Sequence, residues 1–136
     1  MAIPLAGSGY QITDGSLSNP ILLIQQVPIS LTASVTALPS DLVGNTLFLA
    51  NPAAATNLTL PTVASLELAF QSFGEKAGVA FEFDVININA TNAVTIVTNT
   101  GWTITSGGNM VVALLTSARF LARKTGFQTW QLYRTA

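Results

Sequence analysis

The chain has no cysteine and no histidine among its 136 residues. Without cysteine there is no disulfide framework and no thiolate chemistry. Without histidine the commonest general base and the commonest transition-metal ligand are missing together. Charge is scarce as well. Asp, Glu, Lys and Arg make up 8% of the residues, where a soluble domain averages roughly 25%. A net charge of −1 gives almost no repulsion between copies. Thr, Ser, Asn and Gln supply the polar surface instead, which suits a protein packed against copies of itself. Long apolar runs are also lacking, and none approaches the roughly 20 residues needed to span a bilayer. The first residues, MAIPLAGSGYQITDGS, have neither the basic n-region nor the apolar core of a signal peptide. The expectation is a soluble chain made in a cytoplasm, with no membrane partner.

What is present is apolar and β-forming. The apolar share is 49%, enough for one core in one domain of this length. Residues 1–19 combine Gly7, Gly9 and Gly15 with small polar residues and close on Asn19-Pro20. They read as an extended N-terminal arm ahead of a single β domain over 20–136. Ile3, Leu5, Tyr10 and Ile12 are the arm's anchors for docking on a neighbour; a frayed terminus is the plainer alternative. Ile29, Leu31, Ala33 and Val35 alternate with polar residues, as a half-buried strand does. Thr46 to Ala50 is almost wholly apolar and reads as a strand buried on both faces.

At Thr59-Leu60-Pro61 the period changes. Pro61 stops a strand and Thr62 offers an N-cap. Val63, Leu66, Phe70 and Phe73 then draw one helical stripe, predicting a short helix over about 62–74 that Gly74 or Gly78 ends. From Val79 the period is two. Val79, Phe81, Phe83 and Val85 share one face, with Glu82 and Asp84 on the other. Further strands are expected over 94–98 and 102–105, with a hairpin at Ser106-Gly107-Gly108-Asn109 returning as 110–115. Residues 118–124 and 127–133 complete the set. Strands every eight to twelve residues or so point to a sandwich or barrel, and no repeat of solenoid spacing is visible.

Candidate chemistry is thin. Glu82 and Asp84 could pair as acids or bind calcium, but no ion loop or third carboxylate is adjacent. A solvated or interface-facing strand surface is the simpler use. No metal, cofactor or catalytic residue is assigned. Arg119, Arg123, Lys124 and Arg134 crowd the last eighteen positions, and strand geometry puts Arg119 and Arg123 on one face. That pair suits ion pairing between subunits or within the chain, or an acidic ligand such as a sugar acid or phosphate; it is too weak a footprint for nucleic acid. Trp102, Trp130, Tyr10 and Tyr133 could form a glycan platform, or simply fill core and interface. Serine without histidine or a G-x-S-x-G elbow leaves no hydrolase reading.

The runs TLPTVASLELAF, FEFDVINI-NATNAVTIVTNTGWTITSG and WQLYR resemble a module of bacteriophage and large-virus structural proteins. These include head-fibre, capsid-decoration and fibre-tip proteins. The correspondence runs through Leu60 to Ala64, Gly78 to Asn87, Val94 to Gly101 and Trp130 to Tyr133, within residues 57–136. The resemblance implies an all-β fold, a jelly-roll-like antiparallel β-sandwich carrying one short helix. It also implies a homotrimer without enzymatic activity or cofactor, seated on a virion surface. Its partners would be copies of itself and the major capsid or other virion proteins. No fibre shaft is present, which favours a capsid decoration (cement) or minor capsid protein. A fibre-tip or lectin-like module holding a host glycan is the alternative.

Overall fold

A computed structural model describes residues 25–44, 46–71, 76–105 and 109–136. Ten strands are formed: β1 (Ile29–Leu31), β2 (Val35–Thr36), β3 (Thr46–Ala50), β4 (Thr56–Thr59), β5 (Ala80–Asn87), β6 (Val94–Val97), β7 (Trp102–Ile104), β8 (Val111–Val112), β9 (Thr116–Gly126) and β10 (Thr129–Arg134). Among the described residues two short helices join them, α1 (Pro39–Leu42) and α2 (Val63–Ala69). The strands build two sheets, one ordered β1-β3-β5-β9-β10-β7 and the other β2-β4-β6-β8. The all-β, two-sheet expectation therefore holds. The arm and its anchors Ile3, Leu5, Tyr10 and Ile12 lie outside the described residues.

The sheets are mixed, which corrects the expected antiparallel sandwich. Up to β6 the chain alternates between sheets, so β1, β3 and β5 lie parallel in one and β2, β4 and β6 parallel in the other. The first half thus winds as three stacked coils, each giving one strand to each sheet. Only then do β8 and β9 return antiparallel, on β6 and β5. Two-residue alternation reports which face is buried but not strand direction, so a parallel coil and an antiparallel hairpin read alike. The winding also hides from a repeat search. Ile29 opposes Phe48, 19 positions on, whereas Thr46 opposes Phe83, 37 positions on, because α2 is inserted in the second coil.

Other expectations fail for the same non-local reason. The run from Ile29 to Val35 is not one strand but two, on different sheets, with Thr32 to Ser34 turning between them. Ser106 to Gly108 of the expected hairpin lie outside the described residues, and the strands flanking them do not pair with each other: β7 pairs with β10 in one sheet and β8 with β6 in the other. The Ala37 to Asp41 turn contains α1, whose Asp41 carboxylate accepts a hydrogen bond from Leu38 N at 3.0 Å. The last two expected strands do form a tight hairpin, β9–β10, but it turns at Phe127-Gln128, beyond the expected Thr125-Gly126, with Gln128 at φ 50° and a bulge following.

Aromatic rings cluster within a largely aliphatic core. Phe83 stacks on Phe120 with ring centroids 5.3 Å apart, and Phe48 meets Phe83 edge-on at 6.2 Å. Trp130 touches both Phe81 (5.6 Å) and Trp102 (6.0 Å). At the end where β5 passes to β6, the buried Asn87 amide donates to the carbonyls of Asn92, Val112 and Ala113. The Asn89 amide donates to Asn51 Oδ1 and Pro52 O, tying the second coil to the third. These polar bonds satisfy backbone carbonyls where the coils turn.

Helix α2 reaches β9 and β10 through Glu67, which meets Lys124 and Trp130. Thr62 caps it, its Oγ1 accepting from Ser65 N at 3.2 Å. Val63 and Leu66 are buried and Phe70 packs against the core. The helix ends at Phe70, earlier than the predicted 74, because Phe70 already has non-helical dihedrals (φ −128°, ψ 55°). Its start is latched by the Thr100–Trp102 turn. Val63 N donates to Thr100 O (3.0 Å), and Trp102 Nε1 donates to Pro61 O (2.7 Å). Gly101 makes this approach possible. It sits at φ +93°, and a Cβ there would lie 2.6 Å from Val63 Cβ and 3.0 Å from Gln128 O. Gly101→Ala should therefore cost about 1–3 kcal/mol in urea denaturation, through backbone strain and overpacking. A variant as stable as the parent would show that the latch is loose.

Candidate functional site

Strand alternation sends half the side chains of β3, β5, β9 and β10 away from the core. On β5 these are Glu82, Asp84 and Ile86; on β9, Ser117, Arg119, Leu121 and Arg123. Register sets them in rows. Leu49 lies beside Ile86 and Ser117, Leu47 beside Asp84 and Arg119, and Glu82 beside Leu121 and Tyr133. No described element covers this face. Strand β3 is thus not buried on both sides, as its composition predicted: Leu47 is half-buried and Leu49 is 37% exposed. The apolar run reads as core, yet its alternate residues open onto the outside.

An ion pair stands among these residues. Arg119 Nε donates to Asp84 Oδ1 at 2.8 Å, and a terminal guanidinium nitrogen donates to Oδ2 at 3.1 Å. This is the two-point geometry of a guanidinium on a carboxylate. The hydrogen bonds to Asp84, then the charge of that carboxylate and that of Glu82, hold Arg119 above its ordinary pKa; burial opposes them. The chain's last residues lie alongside, with Thr135 N donating to Arg119 O at 2.9 Å. A shallow groove of about 310 Å³ results, lined by Leu47, Asp84, Ile86, Ser117, Arg119 and Ala136 among others.

The four basic residues clustered in sequence separate in space. Arg119 and Arg123 do share the outer face, and Arg123 is exposed without an ion pair among the described residues. Arg134 donates to the carbonyls of Asn109 (3.1 Å) and Val111 (2.6 Å), joining β10 to β8. Lys124 points inward and is 3% exposed. Its ammonium meets Glu67 Oε2 of α2, and Trp130 Nε1 donates to the same oxygen at 2.8 Å. Sequence analysis missed this triad. The available signal was parity: Lys124 shares its face with Ala118, Phe120 and Ala122, all buried.

The proposed glycan platform is not on this surface. Trp102 is 7% exposed and Trp130 is fully buried, so both rings belong to the core. Tyr133 is half-buried and bonds Gln131 Oε1 at 3.2 Å. No group of three His, Cys, Asp or Glu side chains converges among the described residues. The face left open by the described elements combines apolar side chains in rows, a bidentate ion pair set between them, and two further charges, Glu82 and Arg123. Comparison with family models, curated proteins and solved structures finds no match.

The buried triad makes a sharp prediction. Glu67→Ala leaves the Lys124 ammonium without its carboxylate, and should cost about 3–5 kcal/mol in urea denaturation. Glu67→Ala combined with Lys124→Met should recover much of that loss, because the unpaired charge goes too. A double variant no better than the single would show that helix packing, not the charge, is what was lost.

Proposed function

We propose that this chain is a non-enzymatic structural protein of a virus particle, a capsid decoration (cement) or minor capsid protein that assembles as a trimer. The observation that carries the assembly part is the uncovered outer face of the six-stranded sheet. Leu47, Leu49, Ile86, Leu121 and Tyr133 place apolar surface there, with the Asp84–Arg119 ion pair among them and Glu82 and Arg123 on the same face. Such surface, on a chain of net charge −1, favours contact with a copy over dispersal. The bidentate Asp84–Arg119 pair keeps both charges partnered when water leaves, which limits the penalty of burying them. The virion setting is supported by the sequence resemblance across residues 57–136. The major capsid protein, or another virion protein, is then the partner beneath the trimer. Against the lectin-like alternative, Trp102 and Trp130 are buried in the core and offer no exposed platform.

Light scattering on the purified chain at micromolar concentration should give the mass of three copies. Leu121→Asp, placed on the outer face and away from the core, should leave the circular-dichroism spectrum unchanged and give the mass of one. A parent protein that is already monomeric, and stays so when its capsid is added, would contradict the proposal.

A further inference from the structure

Strands β5 and β9 turn four charged side chains outward, and register sorts them into two kinds. Asp84 stands opposite Arg119, and an ion pair joins the two. Glu82 and Arg123 have no such neighbour. Glu82 stands opposite Leu121 and Arg123 opposite Ala80, so each charge meets an apolar residue across the strand pair. The flanking strands add no charge. Gln131 of β10 lies beside Arg123, and the pairing of β3 begins at Thr46 opposite Phe83, one position past Glu82. Both side chains are exposed, and neither is in an ion pair among the described residues.

Burying this face between copies takes those two charges out of water with it. An ionised side chain enters a contact without a large penalty only where an opposite charge or hydrogen bonds meet it. The described residues of its own chain give neither Glu82 nor Arg123 such a partner, and a second copy offers each of them one. The two are opposite in sign. They also stand on β5 and β9, the central strands in the order β1-β3-β5-β9-β10-β7. Three such faces set around a three-fold axis approach one another most closely along their centre. Diagonal positions on adjacent strands lie about 7–8 Å apart, which leaves room for a neighbour's side chain beside each charge.

We propose that Glu82 of each copy pairs with Arg123 of the next, so that the two alternate around the three-fold axis of the trimer. The inference rests on the assembly reading given above and names the contact that closes it. Leu121 and Tyr133, in the same row as Glu82, supply the apolar attraction. The charge pairs fix which surface meets which, since matched potentials across a contact set its register and exclude wrong pairings.

Exchange of the two charges, read by light scattering, tests this pairing. Glu82→Arg and Arg123→Glu should each keep the parent's circular-dichroism spectrum, because both sites are exposed. Each sets like charges face to face and should weaken association roughly 100-fold. The double variant Glu82→Arg, Arg123→Glu restores opposite signs at every contact and should return to the mass of three copies. An equimolar mixture of the two single variants should fall short of that, because two kinds of copy cannot alternate around a ring of three. A stable pair of copies in the mixture would show a two-fold contact and overturn the proposal. So would a double variant that stays monomeric, or single variants that associate as tightly as the parent. In each of those cases a trimeric parent leaves the assembly reading standing. A parent that stays monomeric when its capsid is added overturns both.

Discussion

The pairing of β5 with β9 is the constraint on which the rest of the structure depends. Eight residues of each strand are in register, from Ala80 opposite Arg123 to Asn87 opposite Thr116. One face of this pair supplies Phe83, Val85, Phe120 and Ala122 to the core. The other presents Glu82, Asp84, Arg119 and Leu121 outward. A slip of one residue would exchange the two faces, burying the charges and exposing the rings. The register is therefore held by hydrophobic burial inside and by the Asp84–Arg119 pair outside, and the two agree. The parallel coils stack on one side of this pair, and β10 followed by β7 completes the sheet on the other.

Helix α2 shows how a short insertion completes such a core. At seven residues it would not be stable alone. It persists because Leu66 is buried, Thr62 caps its start, and Glu67 reaches Lys124 and Trp130. Lys124 enters the interior in register with the core strand residues, so its charge must be met there or not formed there. Glu67 meets it, and the indole of Trp130 satisfies the same oxygen. Helix, β9 and β10 are thus joined through one carboxylate, which is specific in direction where apolar packing is not.

The sequence shows faces more clearly than connections. Val79 to Val85 alternates as read, and Thr62 caps as read, because both depend on neighbours within a few residues. Strand direction was not legible, since Ile29 meets Phe48 and Thr46 meets Phe83 across separations that no local pattern encodes. The Gly107-Gly108 signal offered a hairpin, and long-range pairing of β7 with β10 overrode it. Leu47 and Leu49 looked like core because composition cannot tell a covered face from an uncovered one. That ambiguity hid the candidate site: the residues that mark it are apolar, and the sequence directed attention to the charged ones. Arg119 and Arg123 were placed on one face correctly, while the use of Asp84 as Arg119's partner needed the β5–β9 register.

We propose the outer face of the six-stranded sheet as a contact surface between copies. Hydroxyl-radical footprinting at high and low protein concentration tests it most directly. Leu49, Leu121 and Tyr133 should be protected at high concentration and labelled on dilution, while Phe127, exposed at the tip of the β9–β10 turn, is labelled equally in both. Equal labelling of all four residues at every concentration would contradict the account.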